Sequence, residues 1–272
     1  MSELLLLRVL LLLSIIIAPL GTRAWVQPPR VWVRAYVAAV IAVALGLFLP
    51  VAALCVLWVC FCIVNAIVLL GPSMRGGDRV QNLRTPGTLV MFVPLVFSFI
   101  AATWLVGGAN DLRILGYGPF FSYYAALHGN VLGWGFVGAI AASAKRAGPH
   151  RRTYLALVFV CLASFLMIAF GIDGLAVIKP IGVTGLTLAL PLALVVFIVE
   201  ARGQSRRAAL AATLSLVALT VTMVLAWQNE LGVAPGPVLG VRSLVAVHGV
   251  VNTLIVVPAF MLATRWLGDD VR

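Results

Sequence analysis

Residues 31–70 read VWVRAYVAAVIAVALGLFLPVAALCVLWVCFCIVNAIVLL, a run broken by a single charge, Arg34, and a single amide, Asn65. A helix crosses the hydrocarbon of a bilayer with about 20 apolar residues, range about 17–25. This run is too long for one crossing and long enough for two. Gly46-Leu47-Phe48-Leu49-Pro50 supplies the break, because proline removes an amide donor and clashes with the preceding turn. Two helices, over about 33–49 and 51–70, joined by a very tight turn, follow from that reading.

The same ruler divides the rest of the chain. Leu4 to Leu20 is apolar apart from Arg8, which lies close enough to the helix end to snorkel. We read it as a first transmembrane helix, with a signal peptide as the alternative; it lacks a basic leading region and a clean small-residue cleavage site. Further helices are expected over Gly87–Val106, Pro119–Ala144, Thr153–Gly171, Ile181–Val199, Ala208–Trp227 and Ser243–Trp266. The fold class is therefore an all-α, polytopic transmembrane bundle of about nine helices, or eight if the first is cleaved. No region between helices exceeds about 15 residues, so one integral-membrane domain, 1–272, is expected. Composition agrees: 63% of residues are hydrophobic and 10% charged, against about 45–50% and about 25% in soluble domains.

The net charge of +11 does not point to nucleic acid, because its basic residues sit in short clusters between apolar runs and form no basic domain. They follow instead the bias of cytoplasmic loops toward Lys and Arg. With the N-terminus outside and the C-terminus cytoplasmic, all of the 19 Lys and Arg except Arg8, Arg113, Lys179 and Arg242 fall on the cytoplasmic side. Cys55, Cys60, Cys62 and Cys161 lie inside apolar runs without a CxxC pair. They read as small hydrophobes, with no disulfide framework and no metal site.

Against this background Gly118–Trp134, GPFFSYYAALHGNVLGW, is unusually polar. A second histidine recurs in similar wording at His248-Gly249-Val250-Val251-Asn252. Polar groups at membrane depth are costly and commonly functional. At a rise of 1.5 Å per residue, His128 lies about 13 Å and His248 about 8 Å from the outer ends of their helices. Asn130 and Asn252 lie slightly deeper. Spacings of three, four and seven place Phe121, Tyr124 and His128 on one helix face, and Tyr123, Asn130 and Trp134 on another. His248 and Asn252 share a face on the last helix. We expect the Tyr124–His128 face to line the same cavity as the His248–Asn252 pair.

Outer segments contribute Asp111, Asp173 and Glu230 as candidate acids. Trp104 and Trp227 occupy the interfacial belt position and, with Phe120, Phe121, Tyr123, Tyr124, Asn130, Trp134 and Asn252, complete the candidate lining. Asn65 fits no such site and reads as an interhelical hydrogen-bonding residue.

His-Gly-x-x-Asn in the last helix and His-Gly-Asn-x-x-Gly-Trp in the fifth resemble the wording of YndJ-like bacterial membrane proteins. That resemblance covers the half from Asn110 to Thr264. His128 through Trp134 is also similar to helices of oxidase-related haem proteins that carry His, then Gly-Trp, but the six-helix histidine set of an oxidase is absent.

Three functions fit. The leading expectation is an intramembrane enzyme performing acid-initiated terpene cyclisation or isomerisation on a lipophilic isoprenoid substrate, without a cofactor. A carboxylic acid among Asp111, Asp173 and Glu230 would protonate an alkene or epoxide, with His128 or His248 orienting it or taking the final proton. Aromatic faces would stabilise the carbocation. In outline the architecture resembles small integral-membrane terpene cyclases, and the absence of DDxxD argues against a metal-dependent prenyltransferase. The second expectation is a proton-coupled small-molecule transporter, in which buried His and Asn bind solute or relay protons. The third is a bis-histidine haem or metal protein using His128 and His248. The partners expected are the lipid bilayer and a small molecule.

Overall fold

The structure, a computed structural model, describes residues 2–24, 26–74, 86–146, 148–172, 174–175, 177–238 and 240–270. Among the described residues nine helices are long and apolar enough to cross a membrane. They are α1 (Glu3–Thr22), α2 (Arg30–Phe48), α3 (Ala52–Gly71), α4 (Pro86–Ala109), α5 (Pro119–Lys145), α6 (Arg151–Ile172), α7 (Ile178–Arg202), α8 (Arg206–Glu230) and α9 (Leu244–Asp269). No strand occurs among the described residues beyond an isolated bridge, Val238–Val241. The chain is a multi-pass membrane protein of all-α class, as its hydropathy implies.

The 31–70 run breaks where proline predicts. α2 ends at Phe48, and Leu49, the residue before Pro50, is extended at φ −120° and ψ 163°, because the proline ring excludes the helical region for its predecessor. Gly46 completes the turn: a Cβ there would lie 2.7 Å from Cys55 Sγ on the next helix.

Two compact units divide the chain, Ser2–Gly138 and Ala139–Arg272. In the first, α1 carries its own N-cap, the Ser2 hydroxyl accepting from the Leu5 amide, and buries Leu7, Leu10, Leu11 and Ile15. The core between α2, α3 and α5 is aromatic. Trp32 stacks on Tyr36, and Phe61 and Trp58 link them to Trp134 across centroid separations of 5.0–6.3 Å. Asn65 behaves as its setting suggests: its Oδ1 accepts from Thr22 Oγ1 at 3.0 Å and from Trp32 Nε1 at 2.8 Å. Both donors come from other helical segments, so a single amide ties three parts of the unit.

In the second unit α6 packs on α7, α7 on α8 and α8 on α9, the order that short antiparallel connections impose. At the Lys145 end, Arg146 donates to Thr264 O at 2.8 Å and to Ser143 Oγ at 3.0 Å, and lies over the Phe197 ring. Burial pulls the Arg146 guanidinium below its ordinary range, and the nearby Glu200 carboxylate pulls it back up. Glu200 in turn accepts from Tyr154 Oη at 2.9 Å.

Candidate functional site

α5 is not a uniform α-helix. Its first turns, Pro119–His128, are α-helical, but Gly129–Val137 follows the wider π spacing before α geometry returns at Gly138. α9 behaves alike: Leu244–Gly249 and Asn252–Val256 are π-helical. The i→i+5 spacing is rare and gathers at functional sites. Both histidine segments therefore coincide with altered helix geometry, a feature that side-chain spacing did not reveal.

Close packing holds the α5 segment. A Cβ on Gly133 would sit 2.0 Å from Phe97 Cγ of α4, and one on Gly129 would sit 2.8 Å from Ala101 Cβ. Neither glycine has room for a side chain, so the backbones of α4 and α5 approach as closely as glycine allows.

The two faces of α5 read from spacing are both present, with different fates. On one, the His128 and Tyr124 rings pack at 4.6 Å, and His128 Nδ1–H donates to the Tyr124 carbonyl at 2.9 Å. Phe121 stacks on Tyr117 at 4.0 Å with Trp104 edge-on at 5.6 Å, so Trp104, Tyr117 and Phe121 form one aromatic group; Phe120 is half-buried beside it in sequence. On the other face Tyr123, Asn130 and Trp134 are buried. Asn130 is 0% exposed, and neither its Oδ1 nor its Nδ2 has a hydrogen-bond partner among the described residues. Leaving a buried donor or acceptor unsatisfied costs about 1–3 kcal/mol, and Asn130 leaves both.

Two further unpartnered groups border this face. Trp58 Nε1 is buried without a partner, and its ring lies 5.8 Å from that of Trp134. Arg8 is half-buried: its Nε is buried and unpartnered, its guanidinium carbon lies 5.5 Å from the Tyr123 ring centroid, and its side chain hydrogen-bonds that tyrosine. A cavity lined by Thr22, Pro94, Trp134 and Gly138, among others, encloses about 20 Å³, room for roughly one water.

The second histidine segment is fully engaged with α8. His248 Nδ1–H donates to the Thr222 carbonyl at 2.9 Å, and Thr222 Oγ1 donates to Asn252 Oδ1 at 3.1 Å. Both polar residues of His-Gly-x-x-Asn thus bind one residue of α8. Ser215 Oγ adds a 2.8 Å bond to the carbonyl of Val256, inside the π segment.

The candidate acids are dispersed. Asp111 is exposed in the turn after α4, at φ 52°, a left-handed conformation that Asp tolerates better than most residues. Glu230 forms an ion pair with Lys179 at 2.6 Å, next to Trp227, whose Nε1 donates to Thr187 Oγ1 at 3.0 Å. Asp173 lies outside the described residues. His128, Asn130, Tyr123, Tyr124, Phe120, Phe121, Trp104, Trp134 and Asp111 belong to the Ser2–Gly138 unit; His248, Asn252, Trp227 and Glu230 belong to the other. Among the described residues no three His, Cys, Asp or Glu side chains gather as a metal-ligand group.

Arg8, Trp58 and Thr222 join the candidate residues through these contacts. A charge inside the apolar first helix was the signal for Arg8; nothing in the sequence distinguishes Trp58 from a core tryptophan, or Thr222 from its neighbour Thr220.

A family model described as YndJ-like protein matches residues 4–256. The match takes in α1 to α4 as well as the half that carries the histidine wording. No curated protein and no solved structure matches the chain.

Proposed function

The chain belongs to the YndJ-like family, and we propose that it is a cell-membrane carrier, N-terminus outside, that binds a small hydrogen-bonding solute on the Tyr123–Asn130–Trp134 face of α5, in a proton-coupled cycle. The observation that carries this reading is Asn130, wholly buried with both amide atoms unpartnered. A carboxamide held so presents a donor and an acceptor side by side, the pair a polar solute needs when it leaves water. The π geometry of α5 supports the reading, because π segments inside α-helices gather at functional sites. His128, one turn from Tyr124, is the titratable group nearest in sequence to that amide and the candidate for coupling a proton.

The test needs no knowledge of the solute. In a cysteine-free background, Asn130→Cys is exposed to a small, membrane-impermeant methanethiosulfonate reagent in sealed vesicles. Modification from one side is expected. An Asn130→Cys protein that stays unmodified from both sides has no aqueous route to the site, and the carrier reading fails.

Acid-initiated cyclisation of an isoprenoid substrate is the second reading, and the Trp104–Tyr117–Phe121 group favours it: three rings at one helix end offer faces to a carbocation. It requires Asp111, Asp173 or Glu230 to act as the acid. Membranes carrying the protein, incubated with prenylated substrates, are expected under this reading to yield a cyclised isomer that is lost in Asp111→Asn, Asp173→Asn or Glu230→Gln. Product formation unchanged in all three variants removes it.

A further inference from the structure

We infer that the solute bound on this face is an oxyanion, recognised through its charge by Arg8. The inference rests on the reading of Asn130 as a binding group and adds the chemical class of the ligand. Its basis is an imbalance among the unpartnered buried atoms that border this face. Arg8 Nε, Trp58 Nε1 and Asn130 Nδ2 are donors, and Asn130 Oδ1 is the single acceptor among them. A molecule that satisfies such a set has many acceptor lone pairs and few protons to give. Carboxylates and phosphates have that character; amides, sugars and amines do not.

Charge points the same way. No ion pair among the described residues includes Arg8, although a guanidinium at membrane depth is normally matched by a carboxylate or by backbone carbonyls. Its contacts are the Tyr123 ring and a side-chain hydrogen bond with the same tyrosine, which support the cation without neutralising it. Tyr123 and Asn130 are seven residues apart, two turns on one face of α5. Arg8 therefore stands about 10 Å along the helix axis from Asn130, at the end nearer Pro119. An oxyanion approaching from that end meets a fixed positive charge first and the carboxamide second. Guanidinium is the cation best shaped for this, since its planar fork matches two oxygens at once.

A free carboxylate and the phosphate of an anionic lipid share this chemistry, and the experiment separates them. The full chain is placed in phosphatidylcholine nanodiscs and its thermal unfolding is followed with acetate, benzoate or octanoate, each beside its neutral amide. At least one carboxylate is expected to raise the melting temperature where its amide does not. Arg8→Gln is expected to weaken that response at least about tenfold, the usual loss for a hydrogen bond to a charged group. Arg8→Lys keeps the charge without the fork, so it retains the preference for carboxylate at reduced affinity. Nanodiscs of phosphatidylglycerol without solute form the other arm. A shift there that Arg8→Gln removes assigns the oxyanion to a lipid headgroup and keeps the inference.

A carboxylate and its amide that stabilise equally, both lost in Asn130→Leu, overturn the oxyanion inference and leave the solute site standing. Absence of any shift, with carboxylates and with phosphatidylglycerol alike, also overturns it. The labelling of Asn130→Cys then reports separately on the carrier reading. Should Arg8→Gln fail to fold, the comparison of each carboxylate with its amide, together with Arg8→Lys, decides the matter.

Discussion

The two histidine segments use the same residue types within apolar spans and reach opposite ends. In α9, His248 and Asn252 are both bound to Thr222 of α8, one through its carbonyl and one through its hydroxyl. In α5, His128 is bound to its own helix one turn back, and Asn130, two residues on, has no partner among the described residues. The first arrangement is interhelical adhesion, the ordinary use of polar side chains between membrane helices. The second keeps an unsatisfied amide in the interior, which a structure retains at a cost. Residue identity does not separate the two arrangements; partners do.

The largest effect is expected where α5 is pressed against α4. Gly133→Ala places a methyl group 2.0 Å from Phe97 Cγ, so the ring or the helix must move. Overpacking of this kind costs about 1–3 kcal/mol, read as a fall in melting temperature in detergent. It should also displace the turn carrying Asn130 and reduce labelling of Asn130→Cys. A Gly133→Ala protein as stable as the parent would show that the α4–α5 approach is looser than it appears, and would weaken the claim that Asn130 is rigidly held.

Thr222→Val sharpens the comparison from the α9 side. The change nearly preserves shape, removes the donor to Asn252 Oδ1, and leaves the carbonyl that serves His248 in place. A buried amide loses a bond, at a cost of about 0.5–2 kcal/mol in a membrane setting. Asn130→Leu is the matched experiment in α5, with the opposite expected sign. It removes two unsatisfied atoms and breaks no bond, so stability should stay level or rise by about 1 kcal/mol while solute binding disappears. If Asn130→Leu destabilises as much as Thr222→Val does, the amide has a structural partner and the contrast between the segments collapses.

How much of this was legible beforehand differs between fold and site, for one physical reason. Each crossing is written locally: about 20 apolar residues, a basic cluster, a proline or glycine. The break at Pro50 and the span from Pro119 to Lys145 could therefore be read within a few residues of where they fall. His128, Asn130, His248 and Asn252 were legible as types, because polar groups stand out in an apolar run. Their fates were not, because the partner is supplied by a helix distant in sequence. Nothing around position 252 announces Thr222, and nothing around position 8 announces Tyr123. The distance of Arg8 from the helix end permits snorkelling, and its contact with Tyr123 comes from packing between α1 and α5 that no local pattern encodes. The π geometry was hidden for a related reason. Glycines in α5 and β-branched residues in α9 are compatible with it, and they are equally compatible with an α-helix.

Glu230→Gln carries the smallest expected effect on stability and discriminates most directly between the two functional readings. Glu230 is bound to Lys179 at 2.6 Å, with the lysine side chain 34% exposed and the carboxylate 15%. Ion pairs near the surface contribute about 0–1 kcal/mol, so the variant should melt within about 1 kcal/mol of the parent and keep the labelling of Asn130→Cys. Under the carrier reading nothing else changes, because Glu230 is the counter-ion of Lys179 and belongs to the unit that carries the satisfied histidine segment. Under the acid-initiated reading the same variant is a candidate for complete loss of turnover. A stable Glu230→Gln protein that abolishes isoprenoid conversion would return the chemistry to the α8 end and reduce Asn130 to an unsatisfied core residue.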